Sequence, residues 1–236
     1  MLSRTKNNFS IPAFIIILGL IIAGGIILYR TQTNTTPSAT ETTQEELSLR
    51  PITDEDKILG NPNADLIIVE YSDFECLYCK DFHQTMESIM IEYGRSGKVA
   101  WVFRHFPIEK IHKNAKNAAI ASECVFKIAG NEKFWSYSNI LFSSSTEILS
   151  LENLTKMATE LEISEEQFSS CLKNTEIISK IESDIKEGML IYENDARFGT
   201  PYSFLITKSG IQTRIIGSQP YSTLKKLIEQ FITLSE

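Results

Sequence analysis

Cysteine is scarce in this chain, with four in 236 residues, and histidine is scarcer still, with three. Two of the cysteines, Cys76 and Cys79, stand three positions apart, and His83 follows one turn on. No second Cys/His cluster at finger-like spacing supplies a fourth ligand, so a zinc site on Cys76, Cys79 and His83 is disfavoured and no metal is expected. The chain also lacks an internal repeat and a Gly-rich phosphate loop, which sets aside repeat architectures and nucleotide-phosphate cradles. It lacks a basic patch as well. The formal net charge is −7, and residues 1–30 hold three of the 23 basic residues and none of the 30 acidic ones, leaving −10 on the remainder. An acidic domain of this kind is a poor partner for nucleic acid.

The acid-free start has a second meaning. Arg4 and Lys6 precede residues 9–29, an uncharged stretch rich in Ile, Leu, Ala and Gly. Its 21 residues are enough to cross a hydrocarbon core of about 30 Å as a helix. Positive residues ahead of it place residues 1–8 in the cytoplasm and the rest of the chain outside, a bias that Arg30 weakens slightly. A clear Ala-x-Ala cleavage site is missing, Ala23-Gly24-Gly25 being the nearest approach. The stretch therefore reads as an uncleaved, single-pass signal anchor in the cell membrane, with a cleaved signal peptide as the rival. Under either reading the domain sits where disulfides persist. Residues 30–53 form the expected flexible linker. Over 31–49 they are Thr, Ser, Gln, Asn and Glu with one Pro and almost nothing apolar. Fully extended, residues 30–55 reach at most about 85 Å.

What the chain does have is concentrated at Tyr71-Ser72-Asp73-Phe74-Glu75-Cys76-Leu77-Tyr78-Cys79-Lys80. The run before it, Leu66-Ile67-Ile68-Val69-Glu70-Tyr71, is short and rich in β-branched residues, as in a buried strand. After it, Phe82, Met86, Ile89 and Met90 recur at helical spacing, predicting a helix over 76–93 that a Gly-rich stretch at 94–97 stops. Cys76 then lies at a helix N-terminus, where unpaired N–H groups and the positive dipole end favour the thiolate. Cys79, one turn on, is placed to attack a mixed disulfide formed at Cys76. A purely structural Cys76–Cys79 disulfide would close a tiny loop and constrain little. Glu70 is an acid in an apolar strand, six residues before Cys76. It reads as a buried proton acceptor for Cys79, or else as a solvated edge residue. His83 taken alone reads as an exposed helix residue. His105 and His112, at element boundaries, read as structural.

A second strand is predicted over 98–104, giving a βαβ unit with parallel pairing. The pattern from about 112 to 195 is then entirely helical. Segments 113–128 and 132–142 are separated by Gly130-Asn131. Leu151, Leu154, Met157, Ala158 and Leu161 line a third helix, Ser164-Glu165-Glu166-Gln167 opens a fourth as a capping box, and residues from Ile177 to Met189 line a fifth. Cys124 and Cys171 fall in this region. An oxidising compartment and a mutual Cys76–Cys79 partnership favour a Cys124–Cys171 disulfide, with two free buried thiols as the alternative, since sequence does not fix connectivity. Gly199-Thr200-Pro201 precedes a strand. A cis Thr200–Pro201 bond there would fix a bend and leave the Thr200 backbone open to an extended peptide, whereas an ordinary strand-initiating proline would not. A hairpin through 208–210 leads to a strand at 212–216. Tyr221, Leu224, Leu227, Ile228 and Phe231 line a C-terminal amphipathic helix.

Together the stretch from Glu70 to Lys80, Phe134-Trp135 and Gly199-Thr200-Pro201 resemble the DsbA-like thiol–disulfide oxidoreductases, over about residues 55–235 and in the right order. The resemblance implies an α/β thioredoxin-like fold with an inserted helical subdomain, here residues 54–235 with the insertion at about 112–195. It implies that Cys76 is the nucleophile, Cys79 its buried partner, Pro201 the cis-proline facing them and Thr200 a client contact. Glu70 matches the acid beneath the active-site helix, and Cys124 and Cys171 fall where many relatives carry a second pair. Leu77 stands where relatives often have Pro. With Tyr78 it forms the dipeptide that tunes the thiolate and meets substrate. Asp73 and Glu75 are expected to oppose the thiolate and Lys80 to favour it. The expected activity is disulfide formation in exported cysteine-containing proteins, without a bound cofactor, with reoxidation by a membrane partner of the DsbB or vitamin-K-epoxide-reductase type. A reductase or isomerase is the alternative. A tethered client-binding or chaperone module with purely structural cysteines is the alternative from another class.

Overall fold

The structure is a computed structural model that describes residues 49–235. The expected cytoplasmic residues 1–8, the anchor at 9–29 and most of the linker at 30–53 lie outside the described residues. Among the described residues, no helix is long and apolar enough to cross a membrane.

Five strands, β1 (Lys57–Leu59), β2 (Leu66–Ser72), β3 (Val99–His105), β4 (Tyr202–Thr207) and β5 (Gln212–Ile216), form one sheet in the order β1-β3-β2-β4-β5. β2 and β3 run parallel, Leu66 facing Val99 and Ser72 facing His105. The other pairs are antiparallel. β2 is central and almost wholly buried, which is why it reads as a nearly continuous apolar run rather than an alternating one. α1 (Leu77–Ile89) makes the crossover from β2 to β3 and ends in a π-helical turn, Met90–Gly94. The chain then reverses at Gly97, whose φ of +76° a side chain would strain. β1, within a stretch from Asp54 to Leu59 that reads from sequence as a short lead-in to the domain, is a strand of three residues. It forms because the outer side of β3 is open, and Lys57, Ile58 and Leu59 pair there.

Between β3 and β4 lie α2 (Ala115–Ser143), α3 (Leu151–Glu160), α4 (Glu165–Cys171) and α5 (Thr175–Asn194), and α6 (Tyr221–Ser235) closes the fold. The two helices expected over 113–128 and 132–142 are the two arms of α2, which kinks at Gly130 (φ 80°, ψ −176°). The Ser164 hydroxyl accepts from Gln167 N–H at the start of α4, and the Ser150 hydroxyl and Asn174 side chain cap α3 and α5 in the same way. The helical insertion shares its core with the sheet. Trp101 and Phe103 of β3 lie against Trp135 and Phe134 of α2, with ring centroids 4.5 and 5.6 Å apart. Burying each such ring contributes roughly 1.5–3 kcal/mol. A Cys124–Cys171 disulfide, with 5.7 Å between Cα atoms, ties α2 to α4.

A cluster of buried charge joins the sheet edge to the insertion. Arg104 of β3 reaches Asp56 (3.3 Å), Glu187 (3.1 Å) and the Tyr71 hydroxyl (3.2 Å). Arg50 bonds Asp56 (2.7 Å) and Asp184 (3.0 Å), Lys57 bonds Glu123, and His105 Nε2 lies 3.2 Å from Glu123. Burial alone would push the Glu123 carboxyl up, but Lys57 and His105 outweigh it and hold the group below its ordinary range.

Candidate active site

Cys76 is the N-cap residue of α1, extended at φ −78° and ψ 121°, with no side-chain cap bond of its own. The loop before it is fastened by its two acids. Asp73 Oδ1 accepts from Glu75 N–H (2.8 Å), and its Oδ2 accepts from Ile108 N–H (2.7 Å) and lies 2.7 Å from His112 Nδ1. Glu75 accepts from the Asn114 N–H (2.6 Å) and side-chain amide (3.1 Å). These carboxylates hold the loop against the chain entering α2. Lys80 is turned away, its Nζ 3.5 Å from the Ser143 and Ser144 carbonyls. The three charges weighed from sequence are all engaged in fastening the surroundings of the thiol.

Both thiols are free. Cys76 is 7% exposed, and its Sγ donates to the Thr200 carbonyl at 3.3 Å. Its pKa is lowered to about 6. The hydrogen bond from the Cys79 thiol is the main cause; burial opposes it, and the Thr200 side chain and the N–H groups of Cys79 and Tyr78 reinforce it. At pH 7 Cys76 is therefore mostly thiolate. Cys79 is fully buried, and burial, the neighbouring Cys76 and the Glu70 carboxylate push it well above the ordinary thiol range. The two buried thiols are thus driven apart, Cys76 down and Cys79 up.

The partner loop comes from the far end of the chain. The Thr200–Pro201 peptide is cis. Asp195 fixes the loop: its carboxylate accepts from Arg197 N–H (3.1 Å), the Arg197 guanidinium (2.8 Å) and the Tyr202 hydroxyl (2.9 Å). Leu77 and Tyr78 stand at 69% and 68% exposure beside the nearly buried Sγ, so the dipeptide between the cysteines is the accessible apolar surface of the site.

Glu70 is not an edge residue. It lies on the central strand, wholly buried, and Trp101 Nε1–H donates to its Oε2 at 2.8 Å. Oε1 has no hydrogen-bond partner. Burial pushes the carboxyl up to about 7 against the pull of the Ser72 hydroxyl and the Trp101 hydrogen bond, and the charge on Cys76 adds to the rise. His83, expected on an exposed face, is instead buried between Trp101 and Phe142, centroids 5.0 and 4.5 Å away, with Nε2 2.7 Å from Asn139 Oδ1. Burial lowers its pKa to about 4, so the ring is neutral and held in the core.

A family model described as Thioredoxin matches residues 53–230. The chain belongs to the thioredoxin family. Solved structures of like fold include Wolbachia pipientis alpha-DsbA1, with a TM-score of 0.67 and 24% identity over 78% of this chain and 94% of that one. Oxidised BdbD from Bacillus subtilis has a TM-score of 0.62 and 22% identity, and Pseudomonas aeruginosa DsbA2 has 0.60 and 22%, each over 78% of this chain and 96% of the other. The fold is therefore DsbA-like, a thioredoxin sheet with a helical insertion. Among curated proteins, the Na(+)/H(+) antiporter NhaA 1 of Mycolicibacterium gilvum is 30% identical over 142 residues, 59% of this chain and 22% of that protein. The chain spans about a fifth of the length of the curated relatives it matches, and their antiporter name belongs to those longer proteins as wholes.

In this thioredoxin-family chain the fold brings Cys76, Cys79, Glu70, Thr200, Pro201, Leu77 and Tyr78 to one end of β2. Cys124 and Cys171 are apart from them, joining two helices of the insertion. Sequence reasoning missed Trp101 as the partner of Glu70 and Asp195 as the staple of the proline loop. Both have a visible signal in hindsight. Trp101 lies in the strand paired with that of Glu70, and Asp195-Ala196-Arg197 is a short acid–base pair just ahead of the loop.

Proposed function

We propose that this thioredoxin-family thiol–disulfide oxidoreductase donates disulfides to exported, cysteine-containing proteins, from a position outside the cytoplasm and held to the membrane by residues 9–29. The observation that carries the reading is the asymmetry of the dithiol: Cys76 lowered to about 6 and Cys79 driven up beneath it. A stabilised Cys76 thiolate stabilises the reduced enzyme, and a pair whose reduced form is stabilised is an oxidant.

The proposed steps are these. The Cys76–Cys79 disulfide is attacked at the Cys76 sulfur by a client thiolate. The sulfur–sulfur bond breaks and its electron pair leaves on Cys79, which takes a proton from Glu70. A second client thiolate then attacks the client sulfur of the mixed disulfide, and the electron pair leaves on Cys76, a good leaving group because its thiolate is stabilised. The client loses two electrons and the enzyme gains them as a dithiol. A membrane partner of the DsbB or vitamin-K-epoxide-reductase type removes them again. Pro201 and the Thr200 backbone flank the exchanging sulfur, and Leu77 and Tyr78 give an extended client segment an apolar surface to lie against.

The test is a pair of variants assayed with a reduced, unfolded client. Cys76→Ser is expected to abolish exchange. Cys79→Ser is expected to accumulate enzyme–client mixed disulfides, seen on non-reducing gels. Full client protection by Cys76→Ser, with no trapped adducts in Cys79→Ser, would make the protein a binding module instead.

A further inference from the structure

We propose that Trp101 is a positioning residue for Cys79: its indole N–H holds one oxygen of the Glu70 carboxylate and leaves Oε1 to exchange the proton with the Cys79 thiol. The inference rests on the reading of Glu70 as the proton carrier for Cys79.

Four observations support it. Trp101 Nε1 donates to Glu70 Oε2 at 2.8 Å while Oε1 is buried without such a bond, and the Ser72 hydroxyl acts on both the Glu70 carboxyl and the Cys79 thiol, so the two oxygens have different surroundings. Trp101 is itself fully buried and fixed on both sides, by His83 at 5.0 Å and Trp135 at 4.5 Å between centroids. An indole so held has little freedom to follow a wandering carboxylate, so the carboxylate is held by it. The indole N–H is also a donor only, so it favours the ionised carboxylate at one oxygen without competing for the proton at the other. Finally, the neighbouring Trp135 lies in the same stack, yet its Nε1 has no partner. The two indoles thus have similar packing and differ in this one bond.

The titratable groups acting on Glu70 are Cys76 and Cys79, from the start of α1. His83, on the ring face of Trp101, titrates far lower, near 4.

In the direction where a mixed disulfide on Cys76 is resolved, the Cys79 thiol gives its proton to Glu70 Oε1. The resulting thiolate attacks the Cys76 sulfur, the enzyme disulfide forms and the other thiolate departs. Loss of the N–H donor makes the carboxylate harder to ionise. Fewer Glu70 side chains then accept a proton at pH 7, and the pH profile of resolution moves to higher pH.

The experiment follows the lifetime of the Cys76–glutathione adduct after the reduced protein is mixed with oxidised glutathione. Samples are acid-quenched and read by mass spectrometry between pH 5 and 9. Trp101→Phe is expected to lengthen the lifetime about tenfold at pH 7 and to move the profile upward. Trp135→Phe removes a similar volume from the same stack and is expected to change it less than twofold. The rate of Cys76 alkylation is expected to stay within twofold in both. Equal effects of the two Phe variants would assign the change to packing and overturn the proposal, as would an unchanged adduct lifetime in Trp101→Phe when Glu70→Gln lengthens it. An unchanged lifetime in Glu70→Gln would instead remove the reading of Glu70 on which the proposal rests. Trp135→Phe also leaves Trp101 as the sole indole of the chain. In that variant, oxidised so that the thiols do not titrate and the Cys76 charge no longer raises the Glu70 carboxyl, Trp101 emission is expected to follow a transition below the reduced protein's and above the ordinary carboxylate range, and Glu70→Gln is expected to abolish it. A flat titration would contradict the Trp101–Glu70 link even where Trp101→Phe does not fold.

Discussion

The chain holds two cysteine pairs, and they are opposites. Cys76 and Cys79 are three residues apart at the start of α1, unbonded, beside a cis peptide and a buried acid. Cys124 and Cys171 are separated by 47 residues and bonded between α2 and α4. The same element, in one domain, is a pair of free thiols in the first place and a disulfide in the second. What differs is the surroundings. Hydrogen bonds and helix N–H groups reach the Cys76 sulfur, so its charged form is favoured. All four cysteines border the same apolar core, but the second pair is joined as a disulfide and has no thiol to ionise. The span also matters. A bond across three residues restricts the unfolded chain little, so its free energy is available for exchange, whereas a bond across 47 restricts it a great deal.

That contrast can be broken from either side. The largest effect expected is on the inert pair. Replacing Cys124 and Cys171 together by Ala should lower folding stability by about 4 kcal/mol, on the loop-closure argument, while leaving the Cys76 alkylation rate nearly unchanged. Urea unfolding of the two proteins checks it, and an unchanged midpoint would contradict the structural role. Next is Glu70. Its folded value, about 7, lies above the ordinary 4.5, so the buried carboxylate destabilises the fold increasingly as pH rises from 4.5 through 7. Glu70→Gln should therefore stabilise the protein by about 3 kcal/mol at pH 8 and by almost nothing at pH 4. A stability gain independent of pH would point to packing. Smallest is the titration of Cys76. Its folded value is depressed from 9.0 to about 6, so the thiolate's contribution to the reduced form is complete above pH 9 and lost as pH falls through 6. Alkylation at pH 5 should be about tenfold slower than at pH 7, with Cys79 silent throughout. A midpoint near 9 would show that the thiol is not activated.

Much of this was legible in the sequence for local reasons. β2 and β3 are short, β-branched runs, α1 repeats its apolar residues at helical spacing, and Cys76 sits at the boundary between strand and helix signals. An acid inside an apolar strand is visible without a structure, and so is a Pro just ahead of a strand. The parts that were not legible depend on partners distant in the chain. β1 is three residues long and exists because β3 has an open side. His83 is buried because Asn139 and Phe142, more than 50 residues on, close over it. Asp73, Glu75 and Lys80 can be counted as charges near Cys76, but their directions are set by Ile108, His112, Asn114 and the end of α2. The largely buried cluster of Arg50, Asp56, Arg104, Asp184 and Glu187 joins three separate stretches, and nothing local marks its members for burial.

The central claim is that the surroundings of Cys76 stabilise the reduced dithiol enough to make the protein a disulfide donor. The reduction potential of the Cys76–Cys79 pair, equilibrated against glutathione buffers and read by thiol trapping, tests it most directly. A potential of roughly −120 to −180 mV is predicted, in the range of disulfide-donating proteins. A potential of roughly −250 mV or below, in the range of thioredoxin-like reductants, would contradict it.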